Sequence, residues 1–142
     1  MAMTKLEAVN VLLRKLGNRP VNSLDTAHPR VPGALAMLDR HSRDLQARRW
    51  WFNVEYPTLQ PQSGNNRIVL PGDTLSVDSV DRYPRVAARG TYLYDLDNST
   101  LEFSKPVAVR LHRLIDFDLL PHLAAEAVLT RAIVSWVGDN DG

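Results

Sequence analysis

Among 142 residues there is no cysteine, so neither a disulfide framework nor a thiolate metal site can form. Lysine is scarce: the 17 basic residues include only Lys5, Lys15 and Lys105, the rest being arginine. Net charge is nearly absent too, at +1, which gives no global attraction for nucleic acid or anionic lipid. The longest apolar stretch, Leu119 to Val137, is interrupted by His122, Glu126 and Arg131 and is too polar to span a membrane. The N-terminus lacks a basic start followed by a long apolar core, so a signal peptide is not expected, and the chain is expected to be intracellular when made. A Gly-rich phosphate loop, a nucleophile elbow and a Ser/His/Asp motif are all missing. His28, His41, His112 and His122 occur singly, without the local spacing of a metal site.

The apolar content is ordinary at 44%, enough for one domain of this length to bury a core. The chain is organised around Arg48-Arg49-Trp50-Trp51-Phe52-Asn53-Val54-Glu55, where a helical pattern gives way to an alternating one. Each ring can bury roughly 150–250 Å², so this block is read as core at the junction of helix and sheet. The order helices, strands, helix predicts an α+β domain and not the βαβ alternation of a nucleotide-binding sheet. One domain over 1–142 is expected, with helices at about 4–16, 32–49 and 121–137 and a β region at about 52–115. Its N-terminal helical pair would precede a central antiparallel sheet or small barrel-like β region, and the C-terminal helix would pack with the first two.

The first helix carries a capping box in Thr4-Lys5-Leu6-Glu7, a stripe of Leu6, Val9, Leu13 and Leu16, and a glycine stop at Gly17. Pro32 suits the first turn of the second helix. Leu35, Leu38 and Leu45 line its apolar side, and the opposite face holds Asp39, Arg40, Arg43, Asp44 and Arg48 at spacings that allow pairing along the helix. Short strands are expected at Arg67–Leu70, Thr74–Val80, Arg85–Arg89, Thr91–Leu96, Thr100–Phe103 and Val107–Leu111, with turns at Pro71-Gly72-Asp73, Gly90 and Asp97-Asn98-Ser99. The last helix is apolar on most sides, so it needs cover on most sides, from the other two helices, from a neighbouring subunit, or from both.

Chemistry is thinly represented. Asp95-Leu96-Asp97-Asn98-Ser99 begins like a calcium loop, but Thr100 and Pro106 stand where glycine and glutamate are required. Asp116 and Asp118 are spaced as a carboxylate pair, yet residues in that position before a helix more often cap it or complement its dipole. No catalytic, cofactor-binding or metal-ligating residue is therefore assigned. The arginine bias reads either as an interface preference, since the planar guanidinium makes several hydrogen bonds and stacks on rings, or as the coding bias of a GC-rich genome.

Several blocks resemble the tail tubular protein A family, the head-to-tail adaptors of short-tailed phages. They are Ala8-Val9-Asn10 with Leu13, Gly17-Asn18-Arg19-Pro20-Val21-Asn22-Ser23-Leu24, Arg49 to Glu55, Gly90-Thr91-Tyr92-Leu93-Tyr94-Asp95, and Leu114 to Pro121. The resemblance implies a virion tail protein, assembled in the host cytoplasm, that forms a dodecameric ring. That ring would meet the portal protein on one side and the tail nozzle, tail tubular protein B, on the other, with tail fibres beside it. DNA would pass through the lumen without sequence-specific binding, and no membrane or cofactor is involved. Arg40, Arg43, Asp44 and Arg48 on the second helix, and Ala125, Val128, Arg131, Ala132 and Trp136 on the last, are the expected assembly surfaces. The alternative is a small nucleic-acid-binding module using Arg40, Arg43, Arg48 and Arg49 beside Trp50 and Trp51.

Overall fold

The computed structural model describes residues 3–140, which form three helices and two small antiparallel sheets. The chain divides into two compact units, one within Met1–Leu45 and Ile115–Gly142, the other Gln46–Leu114. The fold is α+β, and the strands do not close into a barrel among the described residues.

In the helical unit, α1 spans Lys5–Lys15. The Thr4 hydroxyl accepts from the Glu7 amide at 3.1 Å, as the capping signature requires. At the other end Gly17, at φ +80°, lets Asn18 N–H reach the Leu13 carbonyl and its own N–H reach that of Arg14, both at 2.9 Å. This pair of bonds satisfies carbonyls that the helix end leaves open. The Asn10 amide then grips Val21 on both sides, donating to its carbonyl at 3.0 Å and accepting from its N–H at 2.8 Å. That clamp fixes the irregular segment after the helix.

Helix α2 covers Val31–Gln46 and α3 covers His122–Asp139. The acids before α3 do not serve α3. Asp116 caps the short 3-10 turn Phe117–Leu119 by accepting from the Asp118 N–H at 3.0 Å. Asp118 accepts from the Lys5 backbone N–H at 2.6 Å, so its charge sits at the start of α1, where the helix dipole favours an anion. Trp136 joins all three helices: its indole N–H donates to the Leu12 carbonyl at 2.8 Å, and its ring lies against Gly33.

In the β unit the strands are β1 Val54–Glu55, β2 Thr58–Leu59, β3 Thr74–Ser79, β4 Val86–Arg89, β5 Tyr92–Asp95 and β6 Val107–Arg113. Strand β6 is central, with β1 and β2 following one another along one edge and β3 along the other. Pro57 lies between β1 and β2 and cannot donate to a ladder, which accounts for the break. A bulge between Thr74 and Ser76 shifts the register of β3, so Val77 is buried while Leu75 is not fully covered. Strands β4 and β5 form a separate hairpin that turns at Gly90, φ +61°. Val107, Val109 and Leu111 of β6 face Val77, Val86, Leu93, Ile68, Leu70 and Phe103 in one apolar core. The expected strands at Arg67–Leu70 and Thr100–Phe103 are reduced to single bridges, Arg67 to Glu102, Val69 to Tyr92 and Thr100 to Asp95.

The aromatic block departs from expectation. Helix α2 stops at Gln46, and Arg49 at φ +66° redirects the chain before the rings. Trp50 is 37% exposed and Trp51 78% exposed, so the block is not core. The buried residue of the turn is Asn53, whose side chain accepts from the Trp50 N–H and donates to the Gln46 carbonyl, both at 3.0 Å. A polar side chain, not three rings, holds this junction.

Candidate assembly surface

The residues expected at an assembly surface fall into two groups. Arg40, Arg43 and Asp44 are exposed on α2, and Arg48 is exposed in the turn beyond it. Among the described residues none of these groups forms an ion pair, so the spacing permits pairs that the structure does not make. On α3, Ala125, Val128, Ala132 and Trp136 are buried inside the helical unit, and Arg131 is half-buried. Those four apolar residues are the inner face of the helix, which α1 and α2 already supply with cover. As surface residues they are corrected.

The opposite face is the one left over. Leu123, Ala127, Thr130, Val134 and Val137 recur at alternating spacings of four and three, the pattern of a seam that seats another helix. Leu123 is 78% exposed and Val134 72%. Leu119, in the 3-10 turn just before α3, is exposed as well. Charge flanks the start of the stripe, where His122 and Glu126 lie 3.0 Å apart. Sequence reading missed this stripe because α3 is apolar nearly all round, which hides which side is inner; the heptad spacing was the available signal.

Two other features hold residue types that a site could use. A groove of about 900 Å³ in the β unit is lined by Asp81, Tyr83, Asp97, Glu102, Lys105 and Pro106 among others. Its chemistry is largely spent: Asp95 accepts from the amides of Asp97 and Asn98 at 3.0 and 2.9 Å, closing the 95–100 turn. Asp97 accepts from the Arg85 N–H at 2.7 Å and from its guanidinium at 2.9 Å. The Arg85 amide, and after it the Arg85 side chain, hold the Asp97 carboxyl below its ordinary range. Asp116 and Asp118, the other carboxylate pair, are tied to the start of α1, so neither has the unengaged geometry of a general base.

The comparisons decide the family. The profile described as "Tail tubular protein" matches residues 6–139, nearly the whole chain. The chain belongs to the tail tubular protein family. Tail tubular protein A of Klebsiella phage KP34 is 31% identical over 123 residues, which is 87% of this chain and 66% of that relative. The chain thus spans just under two thirds of the relative it matches. As a tail tubular protein it is a structural component of a phage tail. The family blocks read from sequence fall on the Asn10 clamp, the Asn53 turn, the hairpin strand β5 and the Asp116–Asp118 cap, places where backbone geometry is pinned by specific hydrogen bonds.

Proposed function

We propose that this chain is a ring-forming head-to-tail adaptor. Copies close into a ring, a dodecamer on the family likeness, between the portal and the tail nozzle, tail tubular protein B. Tail fibres lie at the flank of the ring and DNA leaves through its lumen. The protein acts as structure and not as an enzyme, is carried in the virion tail and is assembled in the host cytoplasm. The observation that carries this reading is the exposed heptad stripe of α3 in a member of the tail tubular family. An apolar helix face of this spacing gains stability by meeting another helix, and a second copy supplies one. Arg40, Arg43, Asp44, Arg48 and Arg131 then serve as polar rim, setting orientation more than affinity. A net charge of +1 suits a channel that lets DNA slide, since tight phosphate binding would hold it back.

Cryo-electron microscopy of purified portal–tail complexes tests the assignment. The expected map shows a closed ring of this chain below the portal; a portal–tail assembly lacking the chain contradicts it. The nucleic-acid reading keeps one favourable observation, the exposure of both Trp51 and Arg48. Against it, the Arg49 guanidinium lies 3.4 Å from the Asp78 carboxylate. Filter binding at low and high salt separates the two, because absence of salt-dependent DNA retention dismisses the second reading.

A further inference from the structure

We infer that the outer face of the β4–β5 hairpin is a docking surface for a protein partner that presents carboxylates. The inference uses the β unit alone and holds whether or not copies close into a ring. Tyr92 and Tyr94 alternate along β5 onto one face, while Leu93 between them enters the core. The register places Arg89 opposite Tyr92 and Ala87 opposite Tyr94, and Val69 bridges to Tyr92 from the other side. The Arg67 guanidinium carbon lies 5.3 Å from the centre of the Tyr92 ring, and that of Arg89 lies 3.9 Å from the centre of the Tyr94 ring.

Both guanidinium groups lie within cation–π reach of their rings, Arg89 the closer, and a guanidinium laid on a ring keeps the N–H donors at its edge for another partner. Among the described residues neither Arg67 nor Arg89 is ion-paired. Glu102, on the bridge beside Arg67, is exposed and does not pair with it. Its charge opposes an incoming carboxylate there, which makes Arg89 the stronger anchor. Tyrosine and arginine are the residue types enriched in protein–protein hot spots. Nucleic acid fits less well. One face of each ring is taken by its arginine, leaving less surface for bases to stack on. Two cations are also few beside the roughly 6–10 phosphate contacts that give strong DNA binding.

The test is a titration of the full chain followed through the arginine Nε–H resonances by NMR, with octaglutamate and, separately, dodecathymidylate as probes. Arg67 and Arg89 are expected to shift saturably with octaglutamate and further than the exposed Arg14 and Arg19, which lie outside both proposed surfaces and serve as internal references. The R67K/R89K variant, checked for an unchanged amide spectrum, is expected to bind roughly threefold more weakly because an ammonium does not lie flat on a ring. Three results each overturn the inference: dodecathymidylate moving these resonances at lower concentration, all exposed arginines shifting alike or not at all, or the lysine variant binding as tightly as the wild type.

Discussion

Trp136 ties the helical unit together, because one indole touches α1 and α2 from α3. Its buried N–H bond to the Leu12 carbonyl is lost in Trp136→Phe, which leaves that carbonyl without its donor and is expected to cost about 1–3 kcal/mol. Trp136→Ala adds a cavity and is expected to cost about 3–5 kcal/mol. Trp51→Ala, by contrast, removes a ring that is mostly in solvent and touches Phe52 edge-on at 5.6 Å, so its cost is expected to stay within about 1 kcal/mol. Urea denaturation of the three variants checks the ranking; a Trp51 variant that loses as much as Trp136→Ala returns the aromatic block to the core. Titration gives a second test at this scale. Burial, with Arg40 and Arg131 adding to it against Asp44, lowers the pKa of His41. Burial, with Arg49 and Arg110 adding to it against Asp78, lowers that of His112. Below about 6.5 the unfolded chain binds protons that these native rings refuse, so stability present above that pH is lost as the pH falls. The melting temperature is expected to drop between pH 7 and 5.5, and His41→Gln combined with His112→Gln should flatten the slope; an unchanged slope refutes the assignment.

Elements were read from sequence with uneven success, and the reasons are local. Helix α1 was legible because its start and stop are chemical: Thr4 and the turn at Gly17 satisfy backbone groups that the helix ends leave open. The hairpin β4–β5 was legible because Gly90 supplies the positive φ of its turn. The end of α2 was not, since Ala47, Arg48 and Arg49 are unobjectionable helix residues and the stop depends on Asn53 bonding back to Gln46. Arg67–Leu70 alternates like a strand yet makes only bridges, because pairing depends on neighbours distant in sequence. The inner and outer sides of α3 escaped notice because both are apolar; only the packing of Trp136, Ala132, Val128 and Ala125 against the other helices distinguishes them. The outer side makes its own prediction. Leu123→Glu with Val134→Glu is expected to leave the melting temperature within a few degrees of wild type, as exposed substitutions cost little. Association is expected to be lost, as size-exclusion chromatography with light scattering would show. Unimpaired association moves the contact elsewhere.

At the scale of the whole molecule, it is the surface that bears on assembly. This tail tubular protein has three distinct outer faces. The stripe of α3 suits a copy of itself, the charged face of α2 suits a rim, and the Arg–Tyr face of the hairpin suits a different protein. A ring of the proposed kind needs only one of these to be repeated head to tail at a rotation that closes. Mass photometry of the purified chain, with and without portal protein, tests this most directly. The account predicts a discrete species at a fixed multiple of the 16.0 kDa chain, formed alone or on the portal. A chain that stays monomeric in both mixtures contradicts it.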